Sequence, residues 1–152
     1  MKIIQQVNKT FSQMMGYTIV SETGEVLVID GGERGDRDEL VRIVKSVGGH
    51  IDLWLITHPH CDHHNAVMEL ISNPDGITYD RIGASQVSDE WAHLAGTSDI
   101  SEVLEWNAFA SRVAGARLLC PGRALPRLAS QLGFLPRKEQ AARGWETPLA
   151  PS

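Results

Sequence analysis

The sequence predicts a layered α+β fold, and three consecutive stretches support this prediction. Residues 16–20 and 26–29 are rich in β-branched side chains, and the turn-forming residues between them indicate a β-hairpin. Residues 36–47 have the apolar periodicity of a helix, and two glycines follow that would end it. Residues 51–56 form a nearly continuous apolar run, which is typical of a strand covered on both faces.

Weaker patterns predict further elements on both sides of this region. The spacing of Asp36 from Glu39 and of Asp99 from Glu102 is that of capping boxes, each at the start of a helix. The remaining predictions are strands at 2–7, 77–82 and 117–120, and helical segments at 66–71, 88–94 and 99–113.

Length and composition indicate one globular domain. The chain has 152 residues, of which 42% are hydrophobic and 22% charged, and its formal net charge of −5 gives no indication of a basic nucleic-acid-binding surface. Two cysteines do not indicate a disulfide framework. The first residues lack the apolar core of a signal peptide, and no apolar run is long enough to span a membrane, so we expect a cytoplasmic protein.

The stretch from Thr57 to His64 directly follows the apolar run and contains four of the six histidines. Imidazole and carboxylate groups are ligand types that suit zinc and similar metals. Because His58 and His60 are two residues apart, their rings would point to the same side of an extended chain, and a following turn could add Asp62 and His63. The alternative is a polar surface loop, but such a concentration of histidine favours a metal site.

Asp30 closes the second strand of the predicted hairpin and is followed by Gly31 and Gly32. Glycines permit a tight turn and a close approach of the backbone. The carboxylate of Asp30 is therefore either a structural anchor for the loop or a site residue, and the anchor is favoured.

These residues have the pattern of a known superfamily. The motif formed by His58, His60, Asp62 and His63 after an apolar strand, with an upstream Asp-Gly-Gly turn at Asp30, resembles the metallo-β-lactamase-fold hydrolases. Within that superfamily it is most similar to the hydrolase domain of bacterial DNA-uptake competence proteins. The resemblance covers residues 16–71 and extends less clearly to residue 113.

The resemblance implies the amino-terminal half of an αββα sandwich and a dinuclear zinc site, with manganese or iron as other possible metals. It assigns His58 and His60 to the first metal, and Asp62 and His63 to the second. Asp30 and Gly31 would support the site loops rather than bind metal. A metal-activated hydroxide would then attack a carbonyl or phosphoryl centre, and Asp62 would orient that nucleophile or take its proton.

The chain also departs from the pattern of the superfamily. Ala66 occupies a position that is usually Gly in the superfamily. Cys61 lies between the predicted ligands and is not interpreted as a ligand itself, although nearby cations could lower the pKa of its thiol. His64 is interpreted as a supporting or exposed group and His93 as an ordinary surface residue. The third histidine of the first metal, the bridging aspartate and the late histidine have no candidate, so the sequence predicts half of the site.

The predicted organisation is a partial domain over residues 1–135 and a mobile tail over residues 136–152, which is rich in proline and arginine. A sheet covered by helices on one face would leave an apolar face bare, and this predicts self-association.

Three functions remain open at this stage. The first is an incomplete hydrolase that acts on a small-molecule or phosphodiester substrate. The second is a non-catalytic metal-binding or assembly module that a partner chain completes. The third, a redox diiron relative, is disfavoured because His58, His60 and His63 are all intact.

Overall fold

The computed structural model describes residues 1–84, 87, 88, 90, 93, 100–113, 118 and 119. Its strands are β1 (Lys2–Gln5), β2 (Gly16–Val20), β3 (Val26–Asp30), β4 (His50–Ile51), β5 (Leu53–Ile56), β6 (Thr78–Tyr79), β7 (Ile82–Ala84) and β8 (Leu118–Leu119). Its longer helices are α1 (Arg37–Ser46), α2 (Cys61–Ser72) and α3 (Ile100–Val113), and a 3-10 turn, Arg34–Asp36, precedes α1.

Six of the described strands form one mixed sheet in the order β1-β2-β3-β5-β7-β8. The first three strands pair antiparallel, as the predicted hairpin requires, and β3, β5, β7 and β8 are parallel to one another. Helix α1 lies in the crossover from β3 to β5, α2 in that from β5 to β7, and α3 between β7 and β8, as parallel pairing requires. The short strands β4 and β6 pair separately as a second, parallel sheet.

The main core lies between the sheet and the three helices. Val28, Trp54 and Ile82 point from the sheet into this core, where they meet apolar side chains of α1, α2 and α3. Trp54 and Trp106 are both completely buried. The predicted layered α+β class is therefore confirmed, and a sheet with one helical layer is consistent with part of an αββα sandwich.

The opposite face of the sheet is also apolar. Leu27 and Leu53 are 6% and 1% exposed and pack with the partly buried Ile19, Ile29 and Leu55. The wholly bare apolar face that we expected is thus not observed at these residues. Self-association remains a prediction.

The predicted strand at 51–56 is divided into β4 and β5, which belong to different sheets. Asp52 lies at the division, and its Oδ2 accepts a hydrogen bond from the backbone N of Val26 at 2.7 Å. The predicted strand at 77–82 is divided in the same way, into β6 and β7. An apolar run does not reveal where a chain passes from one sheet to another.

The predicted capping box of Asp36 and Glu39 is wrong. The Asp36 carboxylate is completely buried and accepts hydrogen bonds from the backbone N of Glu33 at 3.0 Å and of Lys9 at 2.7 Å. Glu39 instead binds Arg42 through two hydrogen bonds, at 2.7 and 2.9 Å. Asp36 therefore joins the segment before β2 to the start of α1.

Helix α2 begins at Cys61, well before the predicted start at residue 66. Asp62 and His63 consequently lie in the first turn of a helix and not in a turn that precedes it. The predicted tail at 136–152 lies outside the described residues, so it and the boundary at residue 135 stay predictions. None of the helices within the described residues is long and apolar enough to cross a membrane.

Replacement of Asp36 by alanine should destabilise the fold, because it removes the buried carboxylate that accepts hydrogen bonds from the backbone N of Lys9 and of Glu33. We expect Asp36→Ala to lower the free energy of unfolding by about 2–4 kcal/mol. The matched control, Asp38→Ala, removes a carboxylate that is 95% exposed, and it should change this free energy by less than about 0.5 kcal/mol. Urea denaturation of the two variants measures the difference, and equal midpoints would contradict the role given to Asp36.

Candidate metal centre

The candidate metal ligands lie at the carboxyl ends of the parallel strands. β5 ends at Ile56, and residues 57–60 lead from it into α2, whose first residue is Cys61. The neighbouring strand β3 ends at Asp30. Because the carboxyl ends of parallel strands meet at one edge, the motif and Asp30 come together at the edge where open α/β sheets bind ligands.

Asp30 connects the ends of the two strands to the motif. Its carboxylate accepts hydrogen bonds from the backbone N and the Oγ1 of Thr57, both at 2.8 Å, and binds Nδ1 of His63 at 2.9 Å. Its carbonyl oxygen accepts a hydrogen bond from Nε1 of the buried Trp54 at 3.0 Å. The residue is 1% exposed and has a φ of 57°, a conformation that is uncommon outside glycine. These contacts give Asp30 the geometry of a loop anchor.

Gly31 allows α2 to pack closely against the turn after β3. A Cβ at this position would lie 2.8 Å from Cγ2 of Val67 and 3.2 Å from Cδ2 of Leu40. The backbone N of Ala66 donates a hydrogen bond to the carbonyl oxygen of Gly32 at 3.0 Å. A larger residue at position 31 would therefore require Val67, in α2, to shift.

His58, Asp62 and His63 each offer one ligand atom, and these atoms all lie within 4.8 Å of one another. Nε2 of His63 is 3.3 Å from Oδ2 of Asp62. Ligand atoms about 2.0–2.2 Å from a tetrahedral zinc ion are on the order of 3.4 Å apart, so this separation suits two ligands of one ion. Because Asp30 holds Nδ1 of His63, Nε2 is the nitrogen left for a metal, as in carboxylate–histidine–metal arrangements.

His60 is placed differently from the other predicted ligands. It is the N-cap residue of α2 and is exposed, with its ring centre 4.7 Å from that of His58. It does not belong to the group of three. Three of the four predicted ligands are thus brought together, and the division of the four between two metals stays a prediction.

The environments of His58 and His63 shift their pKa values in opposite directions. Burial lowers the pKa of His58, and the neighbouring His63 and His60 lower it further. Burial alone would also lower the pKa of His63, but its hydrogen bond to Asp30 and the charges of Asp30 and Asp62 outweigh burial and raise it. His58 is therefore the more easily kept neutral, which is the form that binds a metal.

Glu102 is a contact of the motif that the sequence did not reveal. Its Oε2, from α3, accepts a hydrogen bond from the backbone N of Cys61 at 2.8 Å and so caps the start of α2 from another helix. Burial raises the pKa of the Cys61 thiol to about 11, with further contributions from Glu102, Glu33 and Asp62. The lowering of this pKa by nearby cations stays a prediction for the metal-bound chain. The spacing of Glu102 from Asp99 had pointed only to a role within its own helix.

Two further histidines, His64 and His93, are not members of the ligand group. His64 is completely buried and its ring stacks on that of Trp106, with the ring centres 5.3 Å apart. Burial lowers its pKa. Its interpretation as an exposed group is wrong, since it packs α2 against α3. His93 is exposed and helical, in agreement with its interpretation as a surface residue.

Comparison with known proteins finds partial structural similarity. No family model and no curated protein matches the chain. Among solved structures, a metallo-beta-lactamase from Cronobacter sakazakii, described by its HARLDQ motif, matches at 18% identity with a TM-score of 0.40, over 56% of this chain and 32% of that chain. A mutant of that protein matches at 17% identity with the same TM-score. The chain thus spans about a third of the length of these structures, and their description names the superfamily that the motif resembles.

The opposite shifts predict the order in which the rings titrate. In the metal-free chain, we expect the pKa of His63 above the ordinary value of about 6.5 and that of His58 below it. Because the folded pKa of His63 is raised, its contribution to stability is fully present below pH about 6.5 and is lost as pH rises through the folded pKa. Histidine ring resonances in NMR spectra measure both values.

The variant Asp30→Asn should lower the pKa of His63, because it removes the charge that raises this pKa. Asp38→Asn, at an exposed position, is the control and should leave the titration unchanged. A His63 ring that titrates below its ordinary value in the wild type would contradict this assignment of the Asp30 contact.

Proposed function

We propose that this chain is a zinc-dependent metallohydrolase of the metallo-β-lactamase fold, with an incomplete site. One observation carries the proposal: His58, Asp62 and His63 present ligand atoms within 4.8 Å of one another at the carboxyl edge of the sheet. The hydrogen bond from Nδ1 of His63 to the carboxylate of Asp30 fixes one of these ligands in a metal-binding orientation.

The donor set fits zinc. Two imidazoles and one carboxylate are the ligands of several catalytic zinc sites, which use three protein ligands and leave a position for water. The same donors also accommodate manganese or iron. A dinuclear site would need further ligands, and the exposed His60, beside His58, is the described histidine best placed to supply one.

When bound, zinc supplies a water of lowered pKa and a positive charge that stabilises a developing oxyanion. The residues of the chain have separate roles around that chemistry. Asp62 is partly buried beside Nε2 of His63, where its carboxylate can orient the attacking water or accept its proton. Asp30 holds the ring of His63 in place. The substrate class is a carbonyl or phosphoryl compound, such as a thioester or a phosphodiester.

A second candidate function is a non-catalytic metal-binding or assembly module that a partner chain completes. This candidate is supported by the size of the ligand group, because the three side chains that form it within the described residues provide ligands for one ion and not for the two ions of a dinuclear site. The two functions differ in turnover and not in metal binding, so one set of variants tests both.

The variant His63→Ala should bind one zinc ion fewer per chain than the wild type and should lose metal-dependent hydrolysis. Loss of a supporting partner alone costs about 10- to 100-fold in metal affinity, so loss of this ligand should cost about 100-fold or more. Equilibrium dialysis with zinc measures the stoichiometry, and a chromogenic phosphodiester and a thioester measure turnover. The control His93→Ala, at an exposed helical position, should match the wild type.

Two outcomes would overturn parts of this proposal. Unchanged zinc binding in His63→Ala would exclude the ligand group itself. Zinc binding in the wild type that depends on His63, without hydrolysis of either substrate, would exclude the hydrolase and favour the module.

A further inference from the structure

The small sheet of β4 and β6 contains a second group of possible metal ligands. His50, Asp52 and Asp80 each offer one ligand atom, and these atoms all lie within 4.8 Å of one another. The three residues come from two chain segments that β-pairing brings together, since His50 is the register partner of Thr78. The backbone N of Asp80 also donates to the carbonyl oxygen of Ile51 at 2.9 Å.

His50 is oriented for binding by its own neighbour. Its Nδ1 lies 2.8 Å from Oγ1 of Thr78, and this contact leaves Nε2 for another partner. Nε2 is 3.6 Å from Oδ1 of Asp80, which is too long for a hydrogen bond. The separation is close to the distance of roughly 3.4 Å expected between two ligands of a tetrahedral zinc ion.

The carboxylate of Asp52 is held in place by a hydrogen bond from β3. Its Oδ2 accepts the hydrogen bond from the backbone N of Val26 at 2.7 Å, so β3 fixes the position of the carboxylate. A carboxylate has two oxygens and about four lone-pair sites, and this single bond leaves it able to bind a cation. Asp52 is partly buried, whereas His50 and Asp80 have side chains that are 45% and 56% exposed.

This group is separate from the candidate metal centre. Asp52 precedes β5 and His58 follows it, so the two groups lie at opposite ends of that strand. Six residue steps of about 3.3 Å place them on the order of 20 Å apart. The inference below therefore does not rest on the proposed function.

We propose that His50, Asp52 and Asp80 form a second binding site for a divalent transition-metal ion of the zinc and cobalt class. One imidazole nitrogen and two carboxylate oxygens suit such ions, and the exposed side of the site leaves further positions to water. The ion links β4 to β6 through their side chains. Because the ion binds only when β4 and β6 are paired, it stabilises this pairing.

Cobalt(II) is the probe that locates the site, because a paramagnetic ion broadens the NMR signals of nearby backbone amides. With a few equivalents of cobalt added to the full-length chain, we expect broadening at residues 50–52 and 78–80, separate from any broadening at residues 57–64. The variant His50→Gln should lose the first set and keep the second. The imidazole-matched control His93→Gln, at an exposed position, should lose neither.

A second variant distinguishes loss of the metal site from loss of folding. Asp80→Asn preserves the shape of an exposed side chain, and it too should abolish the broadening at residues 50–52 while the spectrum stays folded. Persistence of that broadening in both variants, or its absence in the wild type, would overturn the proposal. If His63→Ala loses the cobalt-induced broadening at residues 57–64 and keeps it at residues 50–52, this result tests only the proposed function.

Discussion

The Asp30 carboxylate accepts two hydrogen bonds from Thr57 and binds the His63 ring, while its carbonyl oxygen binds the buried Trp54. These contacts join the end of β3, the core of β5, the loop after β5 and the first turn of α2. A buried carboxylate is costly unless it is hydrogen-bonded, so the surrounding groups are held in a geometry that satisfies it. The left-handed backbone of Asp30 and the lack of a side chain at Gly31 are what make this geometry possible.

The motif is surrounded by acidic groups, and this determines what each of its side chains can do. Asp30 and Asp62 raise the pKa of His63 against the effect of burial, and burial, with Glu102 and Glu33, raises the pKa of the Cys61 thiol. A protonated thiol is a poor ligand, because metals bind the thiolate. The negative surroundings therefore favour a bound cation.

Much of the fold was predictable because it depends on local signals. The hairpin, α1 and the strand before the motif follow from alternation, periodicity and glycines, and the acid before two glycines drew attention to Asp30. The predictions fail where a contact with a residue distant in sequence accompanies a change in the local structure. The strand break at Asp52 depends on a bond to Val26, and the early start of α2 accompanies capping by Glu102 from α3. Such partners are separated by tens of residues, and no local pattern encodes them.

The histidines of the motif show the same limit of sequence-based prediction within the site. In the sequence they are equivalent donors, but the fold gives each a different environment. His58 and His63 share a ligand group, His60 is exposed at the helix start, and His64 is buried against Trp106. Because α2 begins before Asp62, His63 and His64 are adjacent helical residues about 100° apart around the axis. One therefore faces the sheet edge and the other faces α3. The early helix start thus separates a candidate metal ligand from a core residue, and this separation cannot be predicted from a composition of four histidines.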